Sequence, residues 1–291
     1  MLDKTGREYV RAKMPMIGVG TYQVSSEKDV YASIDAAFDA GYRFIDTAQD
    51  SGYNNEQLIG KVLKELLPKH NLTREDIFIT TKLMVENQGN EKAEKSILES
   101  LKKLQTDYID LLLIHFPGCN RNDPNDPRNP VARKESWEVL EKLYNEKKLR
   151  SIGVSNYEIV HLEELLGHAK VLPAVNQCEY HPYYYTKDLV KYCESKDIHF
   201  QAYSSFGSEV KKQALLTDPK VTALAKKYGT SVTNFLLAWA LSQGISVLPR
   251  SRNPVHVKEN LEALKIKITP EDIEAAKADN QTKFLWDPTK Y

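Results

Sequence analysis

Cysteine is scarce in this sequence, long apolar runs are missing and neither sign of charge dominates. Each lack excludes a class of protein. The three cysteines, Cys119, Cys178 and Cys193, are odd in number and widely spaced, with no CxxC pair. That pattern argues against a disulfide framework or a structural zinc site, and the three read as free thiols. No window approaches eighteen apolar residues, and the first residues, MLDKTGREYV, carry charge where a leader peptide has an apolar core. Neither a membrane span nor a signal peptide is therefore expected, and a cytoplasmic location is. Lys and Arg number 40, as do Asp and Glu, so no net field draws nucleic acid or an anionic surface as a partner. The apolar runs end in no His-x-His pair or clustered carboxylates, so no metal is expected. No stretch rich in Gly, Ser or Pro divides the chain, which reads as one domain over 1–291.

What is present is a regular alternation. With 291 residues and 41% hydrophobic content, the chain can bury a sizeable core. Short apolar, β-branched runs appear as MIGVG, YRFIDTA, DIFITTKL, YIDLLLIHF, LRSIGVS, PAVNQCEY, HFQAYS and ISVLPRS. Between them lie stretches of helical periodicity, such as EKAEKSILESLKKLQTD, whose Ala93, Ile97, Leu101 and Leu104 share one face. Helix starts are marked by Ser26 with Asp29, by Asp218 before Pro219, by Asn253 before Pro254, and by Thr269-Pro270 with Asp272 completing a capping box. Eight strands with apolar cores, each followed by a helix, predict a parallel sheet closed into a (β/α)8 barrel, which needs about 250 residues. Two segments stand outside the alternation: a long loop expected over 117–134, rich in Pro and Asn, and a short tail over 281–291.

In such a barrel, polar residues at the C-terminal ends of the strands line the active site. The second run ends in Asp46, the third in Lys82 and the fourth in His115, each after at least two apolar neighbours. Taken singly, a strand-end His or Lys is commonly a satisfied structural residue. Three adjacent strands, about 5 Å apart, ending in Asp, Lys and His bring the three side chains together. Tyr53, in the loop after Asp46, then has a chemical use. A phenol titrates near about 10, and a neighbouring ammonium lowers that value by stabilising the phenolate. With Asp46 holding Lys82 charged and His115 donating to a carbonyl oxygen, the set is a proton donor facing a polarised carbonyl.

These residues carry a resemblance. From MPMIGVGTY to about Asn260, the segments GYRFIDTA, ITTKL, LLLIHFP, LRSIGVSNY, VNQCEYHPY, QAYSSFGS and LPRSRNPVHVKEN are similar to those of the aldo-keto reductase superfamily. The resemblance implies a (β/α)8 barrel that binds NADP(H) without a Rossmann domain, and GVGTYQ indeed lacks the third glycine of a dinucleotide fingerprint. It further implies a catalytic tetrad of Asp46, Tyr53, Lys82 and His115, with Tyr53 as the acid in reduction and the base in oxidation. The substrate implied is a small carbonyl compound and the assembly a monomer or weak dimer. One departure stands in the tetrad loop. The family pattern sets the tyrosine five residues after the aspartate, where this chain has Ser51, while Tyr53 keeps its spacing to Asn55 and Glu56. Two extra residues therefore lie upstream of Tyr53.

PRSRNP places Arg250 and Arg252 before a helix capped by Asn253, an anion site suited to a ribose 2′-phosphate and so to NADPH. By resemblance, Ser251, Asn253, Glu259 and Asn260 also bind the adenosine half. His256 stands where the family commonly has Arg, and a mostly neutral imidazole softens that preference. The resemblance assigns Ser155, Asn156, Gln177 and Asp46 to the nicotinamide end, Tyr203 to stacking on the ring, Ser204, Phe206 and Ser208 to the pyrophosphate, and Thr21 to the ribose side. Tyr22, Met84 and Phe116, with His115, resemble the wall of the family's substrate pocket, and the loop 117–134 and the tail FLWDPTKY are expected to shape the rest. Two other readings compete. Lys82 as a Schiff-base nucleophile needs an uncharged amine, which Asp46 opposes. A cofactor-binding regulatory barrel with little turnover would follow if the longer loop displaced Tyr53.

Overall fold

The structure, a computed structural model, describes residues 5–291 apart from 50, 51, 54, 121 and 209–211. Eight parallel strands follow one another in sequence order: β1 Val19–Gly20, β2 Phe44–Asp46, β3 Phe78–Leu83, β4 Leu111–Ile114, β5 Ile152–Ser155, β6 Val175–Glu179, β7 His199–Tyr203 and β8 Ser246–Val247. The sheet closes because Ile17 bridges Val247 in parallel and Gly18 N donates to Val247 O at 3.0 Å. This is the (β/α)8 barrel expected from the alternation.

Strand parity explains where the chemistry sits. Phe44, Phe78, Leu111, Leu113, Val175 and Leu248 form one buried cluster, whereas Ile45, Ile79, Leu112, Ile114, Ile152 and Val154 belong to a second cluster shared with the helices. Two residues beyond Phe44 on the same side of β2 stands Asp46, and beyond Leu113 on β4 stands His115. The same step of two leads from Val175 to Gln177 on β6, and a step of four leads from Phe78 to Lys82 on β3. Each inward row thus turns from apolar to polar as it approaches the C-terminal mouth.

The N-terminal mouth is closed by a helix the sequence reading did not foresee. Thr5–Lys13 lies across it, with Val10 and Met14 joining the inner cluster and Arg7 Nε donating to Pro173 O at 3.0 Å. Among the outer helices, Asn90–Leu104 buries Ala93, Ile97, Leu101 and Leu104, as their spacing predicts. The caps read from sequence form at Ser26, Asp218, Asn253 and Thr269, each side chain accepting a backbone N–H of the first turn.

Two expectations need correction. The capping box at Thr269 is only half made: Asp272 turns away to accept from Lys227 Nζ at 2.7 Å and Tyr228 OH at 2.6 Å. A charged donor outcompetes a backbone N–H. The loop expected over 117–134 ends early, because a helix starts at Asn129 with Pro130 in its first turn. Asp126 prepares that start by accepting from Arg128 N at 3.0 Å.

Candidate active site

At the mouth, Lys82 Nζ donates to Asp46 Oδ1 at 2.6 Å and to Thr47 O at 2.9 Å, with the two side chains only 1% and 4% exposed. A carboxylate this close favours the charged form of the ammonium. It lies 5.1 Å from the centre of the Tyr53 ring, and the ring centre of His115 is 6.3 Å from that of Tyr53. Asp46, Tyr53, Lys82 and His115 are thus brought together despite the longer loop, whose Asp50 and Ser51 lie outside the described residues. Tyr22 packs edge-on against Tyr53 at 5.3 Å between ring centres.

Across the mouth, the ends of β5, β6 and β7 form one connected polar set. Gln177 Nε2 donates to the second oxygen of Asp46 at 2.9 Å and to Gln201 Oε1 at 2.8 Å. Ser155 Oγ donates to Gln177 O at 2.8 Å. Asn156 Nδ2 donates to His115 O at 3.0 Å while Asn156 Oδ1 accepts from Tyr203 OH at 2.6 Å. Burial pushes the Tyr203 hydroxyl well above its usual value, so it stays a neutral donor. Asn156 and Ser204 adopt left-handed φ of 62° and 54° although neither is glycine. Such backbone persists only where surrounding bonds impose it, and it clusters at functional sites. Ser204, Phe206 and Ser208 are half-exposed along the segment after β7.

The basic turn after β8 points back toward β1. Arg252 Nε and its terminal nitrogen donate to Gln23 O at 3.2 and 2.7 Å, and Arg250 reaches Gln23 Oε1 at 3.5 Å. Gln23 itself has a left-handed φ of 57°. Ser251 and Asn260 are buried, while Asn253, His256 and Glu259 are exposed. The helix from Pro254 is only 7 residues long, and Asn253 Oδ1 already takes the N–H of Val255 at 3.0 Å. The attraction for an anion therefore rests more on the guanidinium groups than on the helix end. Thr21 is buried at the end of β1, its Oγ1 donating to Asp46 O at 2.9 Å.

Polar ends of β2 to β7 converging with a tyrosine on one barrel mouth accord with the family model that matches residues 16–280, described as the aldo/keto reductase family. The chain belongs to the aldo-keto reductase family. It is 36% identical over 280 residues to glyoxal reductase of Bacillus subtilis, covering 96% of this chain and 94% of that protein. It is likewise 36% identical over 298 residues to aldose reductase of Encephalitozoon cuniculi, covering 99% and 97%. Among solved structures, the aldo-keto reductase MGS-M4 from a Medee basin deep-sea metagenome library superposes with a TM-score of 0.84 at 34% identity, covering 94% of each chain. An aldo-keto reductase of Bombyx mori in complex with NADP gives a TM-score of 0.81 at 33% identity, covering 90% of this chain and 88% of that one. The family is one of oxidoreductases acting on carbonyl groups, and nothing in these comparisons supports a regulatory barrel without turnover.

The substrate side of this aldo-keto reductase differs from the expectation in one respect. Tyr22 is 41% exposed at the mouth and Met84 is half-buried. Phe116, expected in the pocket wall, is only 3% exposed. The tail covers it: Trp286 packs edge-on against Phe116 and His115 at 6.3 and 5.7 Å, and Tyr291 against Phe116 at 4.8 Å. The aromatic surface beside His115 is therefore supplied by Trp286, from the tail expected to shape the pocket. The anchor of that tail was not foreseen. Glu179, at the end of β6, accepts the backbone N–H groups of Phe284 and Leu285 at 2.7 and 3.0 Å and pairs with His181 at 2.9 Å. Burial pushes the Glu179 carboxyl up, but these bonds outweigh it and hold its titration below the usual range. The tail docks closely at Gly118, where any Cβ would collide with the Tyr291 ring.

Proposed function

We propose that this aldo-keto reductase reduces aldehydes and ketones to alcohols with NADPH as the reductant and Tyr53 as the proton donor. The observation that carries the reading is the buried Lys82–Asp46 pair at 2.6 Å beside the Tyr53 ring. A fixed positive charge favours the phenolate left after proton donation, so it lowers the cost of giving up the proton. His115, on the next strand, is within reach of the same carbonyl oxygen and orients it for that proton. Glyoxal reductase and aldose reductase among the relatives, each named for a carbonyl substrate, support the reaction class.

The residues fit a nicotinamide dinucleotide, which the Bombyx mori relative holds. Among the described residues no protein donor reaches Gln177 Oε1, leaving an amide acceptor beside Ser155 and Asn156 for a carboxamide. Tyr203 is fixed by Asn156 and keeps a partly exposed ring face for stacking. Ser204, Phe206 and Ser208 then flank the pyrophosphate, and Thr21 the ribose. Arg250 and Arg252, with Ser251, Asn253, His256, Glu259 and Asn260, hold the adenosine end and its 2′-phosphate. Bound there, the cofactor supplies hydride to the carbonyl carbon. Lys82 is unsuited to form a Schiff base, because its nitrogen is sealed against Asp46 and Thr47.

The direct test is consumption of NADPH with a panel of aldehydes and ketones, including dicarbonyls. Turnover of several members is the expected result, and tight NADPH binding with no turnover across the panel would overturn the proposal. Removing Arg250 and Arg252 together as alanines is expected to weaken NADPH by about a hundredfold and NADH by far less, since each charge-assisted bond contributes about 1.5–3 kcal/mol. Equal losses in a fluorescence titration would remove both from the phosphate site. For the tail, Trp286→Ala is expected to raise KM for an aromatic aldehyde about tenfold, equivalent to about 1.4 kcal/mol of lost contact, while NADPH affinity holds. An unchanged KM in steady-state assays would place the substrate elsewhere.

A further inference from the structure

The longer tetrad loop poses a question of precision. Closure entropy grows only with the logarithm of loop length, so two extra residues threaten placement more than folding. Placement matters because an error of about 1 Å in a catalytic group can cost about a hundredfold in rate. We infer that Gln49 is a positioning residue that pins the upstream end of the longer loop, so that Tyr53 keeps its place beside Lys82. The inference rests on the reading of Tyr53 as the proton donor.

Gln49 does not touch the reacting groups, yet its side chain is fully engaged. Gln49 Oε1 accepts from Met84 N and from Asn87 Nδ2, each at 3.1 Å. Gln49 Nε2 donates to Ser96 O at 3.1 Å and to Ser100 Oγ at 2.9 Å. Its backbone N–H donates to Lys82 O at 3.2 Å, extending the pairing of β2 with β3 past Asp46. The side-chain amide thus fastens the start of the loop to the turn after β3 and to the helix Asn90–Leu104, and the backbone N–H fastens it to the strand that carries Lys82.

The downstream end has its own anchor. Asn55 is fully buried, with Asn55 Nδ2 donating to Thr21 O and Val24 O at 2.8 Å each and Asn55 Oδ1 accepting from Thr47 Oγ1 at 2.7 Å. Gly52 O accepts from Gln23 N at 2.8 Å. With Gln49 and Asn55 both held, the segment that carries Tyr53 is fixed at both ends. Without Gln49 the upstream limit recedes toward Asp46.

The variant Gln49→Met keeps the length of the side chain and removes its hydrogen bonds. The expected result is a fall in kcat for carbonyl reduction of about tenfold, with NADPH affinity within about twofold. A larger kinetic isotope effect with NADPH deuterated at the transferred hydrogen is expected alongside, because chemistry becomes slower relative to release. In a chain lacking Asp50 and Ser51, the same substitution is expected to cost less than about threefold, since a short loop does not need the pin. A full kcat in Gln49→Met, or an equal loss with and without the deletion, overturns the inference. Should the deleted chain not fold, a lowered kcat with an unchanged isotope effect overturns it equally. Tyr53→Phe separates the two levels. If it retains activity, the donor assignment fails; if it is inactive while Gln49→Met is normal, only the pin fails.

Discussion

Replacing Tyr53 by phenylalanine is expected to reduce carbonyl turnover by at least about a hundredfold, the usual lower bound for loss of a positioned general acid. The substitution keeps the ring that packs against Tyr22 and lies over Lys82, so folding and cofactor binding should be unaffected. The loss must therefore fall on kcat with NADPH affinity nearly intact, a pattern that separates transition-state from ground-state interactions. Steady-state kinetics beside a fluorescence titration check it. A turnover within a fewfold of the parent would mean that the proton comes from another group, with His115 the next to test.

The second large effect is expected at Lys82. In Lys82→Met, a buried cation is replaced by an apolar side chain of similar length, and Asp46, 4% exposed, loses its counterion at 2.6 Å. Removing one partner of a buried pair destabilises by about 3–5 kcal/mol, because the remaining charge is stranded in a poorly solvated site. Asp46 still accepts from Gln177 Nε2 at 2.9 Å, which does not neutralise it. The denaturation midpoint should drop markedly and the remaining folded protein should be almost inactive, since the charge that favours the Tyr53 phenolate is gone. The double variant Lys82→Met with Asp46→Asn should recover much of the stability and none of the activity. Recovery of both would show that the pair serves the fold alone.

Much of this site was legible in the sequence because a strand alternates strictly. Once the runs ending in Asp46, Lys82 and His115 are read as neighbouring strands, their inward direction follows from parity with Phe44, Phe78 and Leu113. The helix caps at Ser26, Asp218 and Asn253 were legible for a similar reason: a cap depends on residues within three positions of one another. What escaped depends on contacts distant in sequence. The helix Thr5–Lys13 has a weak apolar face, and its position comes from a barrel floor assembled by strands far along the chain. The tail was expected at the pocket, but that Trp286 is the residue meeting His115 depends on Glu179, more than a hundred residues earlier, which takes the backbone of Phe284 and Leu285. The start of the helix at Asn129 was hidden in a segment whose prolines and asparagines suit a loop and a helix start alike. Gln49 gave no signal, since an isolated glutamine in a polar stretch does not reveal that all its hydrogen-bonding capacity is spent.

The apolar floor of the barrel has a consequence for the traffic of protons. Beneath Asp46 and Lys82 lie Phe44, Phe78, Leu111 and Leu113, closed off below by Val10 and Met14. None of these side chains can carry a proton, but a buried polar chain passes beside them: Gln177 joins Asp46 to Gln201, Gln201 joins Ser246, and Ser246 joins His199. Amide groups relay protons poorly, so on the reading of Tyr53 as the proton donor its proton returns from the mouth, the side where the alcohol would leave. On that reading, product departure and recharging of the acid would share one doorway, with Trp286 at its edge.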